Sequence, residues 1–197
     1  MSPAEIAARA KMAAFLAERK RAPRAFAEAI AAGDIRVAEK ALTKAIELGV
    51  GHLAMRAAAR LGGVPIVSQA WFLGRWIEDG ELRDGSRDLD LLDAMRAMLP
   101  PYHGPSQRLY RGEGASNRRR RTYGPSWSLS REIAEDFAKA AAFYYQGGVV
   151  LEAMVPPEAI IASPHLVSNH FGEDEYLVDR RCLGRVAVIA RYPPLAA

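Results

Sequence analysis

The hydrophobic period of this 197-residue chain changes near residue 105, and that change limits what it can fold into. Before it, apolar residues recur at helical spacing. After it, they come in short β-rich runs set between clusters of Gly, Pro and Asn. A helical segment spans residues 4–20, with Ile6, Met12, Phe15 and Leu16 at helical spacing, and Pro23 ends it or starts the next. Residues 24–32 and 35–48 read as two more helices joined at Gly33-Asp34, and residues 51–61 run helical to Gly62-Gly63 and Pro65. Residues 66–79 offer Val67, Ala70, Trp71, Leu73 and Trp76 as a buried face. Residues 89–99 follow, with Ser86 or Asp88 as N-cap and Pro100-Pro101 as the stop. The helices at 24–48 faintly resemble a repeat hairpin, but no second copy is present and no solenoid is expected.

In the second half, strands are predicted over 108–111, 126–129, 149–155, 176–178 and 185–190. One helix over 131–145 interrupts them. Ser130 caps it, Glu132 and Glu135 suit its positive start, and Phe137, Ala140, Ala141 and Tyr144 form its packed face. Residues 158–162 read as a helical turn or a strand. The expected class is α+β, with an α-helical N-terminal region (1–104) and a mixed region (105–197).

Half of the residues are hydrophobic and a quarter are charged, as in ordinary globular proteins. No apolar run approaches a membrane span, and the start Met-Ser-Pro-Ala-Glu lacks a basic region followed by a long apolar segment. The expectation is no membrane, and a chain that is cytoplasmic or delivered into a host cell. The one cysteine, Cys182, rules out an internal disulfide and is expected to pack beside the last strand. The net charge is +4, with a compact run of Arg118, Arg119, Arg120 and Arg121 in a polar, Gly-rich segment. That run is either a solvated loop or a contact for an acidic protein, a ligand phosphate, or nucleic-acid phosphates, where Tyr123 and Trp127 would stack on bases.

The stretch Gly172-Glu-Asp-Glu-Tyr-Leu-Val-Asp179 carries the sharpest chemical signal. Tyr-Leu-Val reads as the start of a buried strand, so Glu173 and Glu175 leave one face side by side. Like charges in proximity repel, which suits a site for a cationic species. As a plain structural feature, the pair would be charges guarding a strand edge.

Upstream stand Leu109-Tyr110-Arg111-Gly112 and Ser126-Trp127-Ser128-Leu129-Ser130. The order Arg, Ser-x-Ser, Glu-x-Glu resembles the R-S-E class of ADP-ribosyltransferases, which includes arginine-modifying toxins, ecto-enzymes and phage enzymes. The likeness covers roughly residues 107–193. It implies an ADP-ribosyltransferase-like split β-sandwich with an NAD cleft, often preceded by helices. The reaction it implies is cleavage of the nicotinamide–ribose bond of NAD, through an oxocarbenium-like sugar. Nicotinamide leaves neutral from a cationic precursor, so the site needs negative charge at the sugar rather than an acid.

The resemblance then assigns roles. Glu175 matches the carboxylate that bonds the nicotinamide ribose and stabilises the cationic sugar. Glu173 matches the one that orients or deprotonates an acceptor guanidinium, whose pKa above about 12 makes it a poor nucleophile unaided. Arg111 either grips a phosphate or braces the site, and Gly112 lets the backbone approach the nicotinamide carboxamide. Ser128 matches the first Ser of Ser-Thr-Ser, supporting the catalytic Glu and the cofactor. Leu129 replaces the usual Thr and leaves the register open between Ser126 and Ser128, and the distance to Phe137-Ala138 favours Ser128. Ser130 belongs to the cofactor site or only to the helix cap. His170 or Phe171, in the loop before the Glu pair, would contact the acceptor.

Two other chemistries are disfavoured by pattern. The run Gly112-Glu-Gly-Ala-Ser-Asn117 lacks the last glycine of a dinucleotide-binding turn and meets four arginines instead of a helix. His165 and His170, spaced i, i+5 with no nearby Cys, do not read as metal ligands. The leading reading is a mono-ADP-ribosyltransferase using NAD as co-substrate, with a protein arginine as favoured acceptor. The alternatives are an NAD glycohydrolase and a non-catalytic interaction module.

Overall fold

In the computed structural model, which describes residues 1–78, 88–144, 147–164 and 175–194, the chain divides between Leu99 and Pro100 into two units. The first holds helices α1 (Pro3–Ala32), α2 (Ile35–Glu47), α3 (Gly51–Ala58), α4 (Ile66–Glu78) and α5 (Asp88–Met98). Ser2 and Glu5 open α1 as a reciprocal cap: Ser2 Oγ accepts from the Glu5 amide, and Glu5 Oε2 accepts from the Ser2 amide. The helix then runs unbroken through Pro23, where the sequence suggested a break. A proline inside a helix costs about 3 kcal/mol. Here Pro23 is itself buried beside Phe26 and Ile30, whose burial returns about 1.5–3 kcal/mol each. By contrast Ile6, Met12, Phe15 and Leu16 on the Ala-rich front half are exposed.

The expected face of α4 is also shifted. Val67 and Ala70 are exposed and Trp71 is half-buried, while Ser68, Phe72 and Leu73 are buried. Trp76 lies outside the residues whose side chains are described. The buried Ser68 is accommodated because its Oγ donates to the Ile30 carbonyl at 2.7 Å. Asp88 lies inside the first turn of α5 rather than capping it, and Ser86 lies outside the described residues. Among the described residues no helix is long and apolar enough to cross a membrane.

Among the described residues, the second unit is a six-stranded antiparallel open sheet with two α-helices. Its strands are β1 (Gln107–Gly114), β2 (Ser126–Ser128), β3 (Gly148–Val155), β4 (Ile160–Ala162), β5 (Glu175–Val178) and β6 (Val186–Tyr192), in the order β4-β5-β2-β1-β3-β6. A 3₁₀ turn, Pro157–Ala159, leads directly into β4, so both readings of residues 158–162 are realised in succession. Strands β1 and β3 pair along their whole length, from Gln107↔Val155 to Gly114↔Gly148. Strands β1 and β2 share the single register pair Tyr110↔Ser128.

One face of this sheet buries Leu109, Trp127, Leu151, Tyr176 and Val178. Tyr123 and Trp127 meet edge to face inside that core at 6.5 Å, so they are not open to stack on bases. The other face carries α7 (Arg131–Tyr144). The packed face of α7 is Ala134, Ala138 and Ala142. The expected Phe137, Ala140 and Tyr144 are exposed, and Ala141 is half-buried. The reason is the closeness of the helix to the sheet. A Cβ on Gly112 would collide with the backbone of Ala134 and Ala138, and one on Gly148 with the carbonyl of Ala138. Only methyl-sized side chains fit such a seam, which excludes the aromatics from it.

The arginine run forms a short helix, α6 (Ala115–Arg120), rather than the loop expected. Its last turn holds Arg118, Arg119 and Arg120, where cations suit the negative helix end. Arg121, at φ 55°, turns the chain out of it. Cys182 ends a 3₁₀ turn, Arg180–Cys182, and is exposed instead of packed. The expected outcome for the helix–sheet seam is that Gly148→Ala lowers stability by about 1–3 kcal/mol in urea unfolding. Gly184→Ala, where an added Cβ meets nothing within 4 Å, stays within about 0.5 kcal/mol.

Candidate functional site

Strand β2 is three residues long and lies between the strands that bear the other two motifs. Ser128 has Tyr110 of β1 opposite it on one side and Glu175 of β5 on the other. Directly opposed residues of an antiparallel pair have Cβ atoms about 4.5–5.5 Å apart and share a face. The Ser128 hydroxyl and the Glu175 carboxylate are therefore neighbours on the face that carries α7. Ser128 is buried, and its Oγ accepts from the Ser130 amide at 3.0 Å. Glu175 is half-buried at the first position of β5.

Ser126, two residues before Ser128, points to the same face. Its Oγ is buried with no hydrogen-bond partner among the described residues. An unsatisfied buried hydroxyl costs about 1–3 kcal/mol, so such an atom marks a place where a polar ligand atom or water is accepted. Ser130 acts locally, since its Oγ accepts from the Ile133 amide at 3.2 Å and so caps α7. Leu129 between them is exposed.

Arg111 is held differently from what a ligand-gripping guanidinium requires. It pairs with Leu151 in the β1–β3 ladder, so its side chain leaves the sheet on the face opposite Tyr110, Ser128 and Glu175. Its Nε donates to Glu113 Oε2 at 2.9 Å and its Nη1 to the Ser126 carbonyl at 2.5 Å. The guanidinium also lies where a Cβ on Gly124 would be. These bonds tie β1 to the start of β2. The space that Gly112 leaves by lacking a side chain is filled by α7. Glu173, His165, His170 and Phe171 lie outside the described residues.

Glu113 has no part in the Arg, Ser-x-Ser, Glu-x-Glu pattern. Its carboxylate is buried and accepts four hydrogen bonds. Oε1 takes the Gly114 amide at 2.9 Å and Asn117 Nδ2 at 3.0 Å, while Oε2 takes Arg111 Nε at 2.9 Å and the Gly124 amide at 3.1 Å. Burial pushes its pKa up. The Arg111 charge and the bonds from Asn117, Gly124 and Arg111 outweigh that and hold the carboxyl below its ordinary value. The legible signal was Arg-x-Glu inside a strand, an ion pair on one face at i, i+2. A second acid, Asp179, is buried just beyond β5 and accepts from Arg181 through Nε and Nη2. Arg180 Nη1 donates to the Tyr123 carbonyl at 2.8 Å, tying the end of β5 to the approach of β2.

Among the described residues no group of three or more His, Cys, Asp or Glu side chains is placed to hold a metal ion. Comparison with protein-family models, with curated proteins and with solved structures finds no match for this chain.

The state of Glu113 sets an acid limit on stability. Its folded pKa lies below the unfolded value of about 4.3. The stability it contributes is therefore complete above that unfolded value and lost as pH falls through the folded one. Urea unfolding across this range is expected to show wild type well above Glu113→Gln near neutral pH, with the gap narrowing below about pH 4.

Proposed function

We propose that the chain is a mono-ADP-ribosyltransferase that moves ADP-ribose from NAD to an arginine side chain and releases nicotinamide. The observation that carries this reading is the register pair Ser128↔Glu175, set beside the orphaned Ser126 hydroxyl. Residues far apart in sequence, and singled out by the ordered R-S-E pattern, meet on adjacent strands. The sheet adds support of a coarser kind. Its halves β4-β5-β2 and β1-β3-β6 are joined through one register pair, as a split pair of small sheets would be.

In this reading Glu175 supplies the negative charge that an oxocarbenium-like ribose requires, and accepts a hydrogen bond from a ribose hydroxyl. Ser128, buried against it, orients that carboxylate. Ser126 contributes a hydroxyl whose bonding is completed by the cofactor. Arg111 fixes the strand that carries both serines and leaves the phosphates to other donors. Glu173 is proposed to orient the acceptor guanidinium and draw off its proton, and His170 or Phe171 to contact the acceptor. The acceptor proposed is a protein. The exposed arginines of α6 would instead serve a nucleic-acid acceptor.

The test is incubation of the purified chain with NAD, with and without agmatine or cell lysate, followed by mass spectrometry of released nicotinamide and attached ADP-ribose. Attachment is expected, reduced about 10²–10³-fold in Glu175→Gln. Glu173→Gln is expected to lose attachment while keeping nicotinamide release. Release without attachment in wild type would replace the transferase by an NAD glycohydrolase. Neither turnover nor NAD binding would overturn the reading and leave an interaction module.

A further inference from the structure

We propose that Glu113 is a positioning residue of this site, one that sets where β2, and with it the Ser128↔Glu175 pair, sits against β1. The inference rests on the transferase reading for its catalytic consequence and on geometry for the rest.

Strand β2 pairs with β5 over all three of its residues, and its junction with β1 is the weaker one. It shares one register pair with β1, Tyr110↔Ser128, so further ties to β1 decide how it sits against that strand. Two such ties are seen among the described residues, and both run through Glu113 Oε2. That oxygen accepts directly from the Gly124 amide, just ahead of β2. It also accepts from Arg111 Nε, which orients the guanidinium so that Nη1 donates to the Ser126 carbonyl of β2 itself. The other oxygen, Oε1, is occupied by the Gly114 amide and Asn117, which hold the carboxylate plane in place from the β1–α6 side. Arg111 and Glu113 are both largely buried, so the pair is little screened by solvent.

The arrangement needs a carboxylate. All four partners are donors, two to each oxygen. A glutamine has one acceptor oxygen and one amide nitrogen, so two of the four donors would face an N–H group. Glu113→Gln therefore releases either Arg111 and Gly124 or Gly114 and Asn117. The first pair is the one coupled to β2.

The experiment compares wild type, Glu113→Gln and Gly124→Ala. The last variant leaves every charge in place but puts a Cβ where the Arg111 guanidinium now lies. Circular dichroism and melting establish that each is folded. Hydrogen–deuterium exchange over residues 124–130 reads the position of β2 without NAD, and steady-state kinetics read the site. The expected result is faster exchange over 124–130 in both variants. Alongside it, kcat should fall about 10²-fold and the KM for NAD stay within about threefold, as for a misplaced but unaltered catalytic group.

A merely stabilising Glu113 would lower the melting temperature and leave kcat of the folded variant unchanged, which overturns the proposal. Unchanged exchange over 124–130 in both variants overturns it as well, whatever the kinetics. If Glu113→Gln does not fold, Gly124→Ala decides by the same two readouts. Wild type without NAD turnover overturns the transferase reading, and the exchange result then decides whether Glu113 positions β2.

Discussion

The carboxylate of Glu113 is the charge on which the second unit turns. An acid this buried costs several kcal/mol to desolvate unless its charge is matched and its lone pairs are filled. Here both conditions hold, with one guanidinium, two backbone amides and one side-chain amide converging on it. Those donors come from β1, from the start of α6 and from the turn ahead of β2. The penalty for leaving any of them unmatched is what makes the junction of three segments specific, since breaking a buried pair costs about 3–5 kcal/mol.

The same sheet solves a different problem on its other face. Helix α7 lies so close to β1 and β3 that glycine is required at residues 112 and 148, and alanine at the helix positions that cross them. Close approach gains dispersion contacts along the backbone and fixes the helix against sliding. Its consequence is that the large apolar side chains of α7 cannot turn inward. Phe137, Phe143 and Tyr144 remain exposed for this reason.

How much of this was legible in the sequence follows from what each signal encodes. The change of period near residue 105 reports backbone geometry directly, so the α+β class and the approximate positions of most helices and strands could be read. Which face an element buries is a tertiary property. Phe137 and Tyr144 looked like core because they are apolar, but Ala134 and Ala138 face Gly112 and Gly148, a match that only the folded sheet reveals. Pro23 misled for the same reason, since a local rule about prolines was outweighed by the burial of Phe26 and Ile30. The arginine run looked like a solvated loop because neighbouring like charges disfavour compaction, yet its position at a helix C-terminus favours cations. At the site, the Ser128↔Glu175 pairing depends on strand register, and the fourfold acceptance by Glu113 depends on Gly124 and Asn117. Neither of those residues carries a chemical signal of its own.

The division of labour between the two faces constrains any chemistry the site performs. Ser126, Ser128 and Glu175 share the helix face, while Arg111 and Glu113 work from the opposite side of the sheet. A guanidinium bonded to a carbonyl of β2 cannot follow a ligand on the serine face without giving up that bond. Its positive charge therefore acts through the strand it holds rather than by direct contact. Glu175 stands half-buried on the β2–β5 part of the serine face. Arg111 is thus a brace between β1 and β2, held on its own face by the buried ion pair with Glu113.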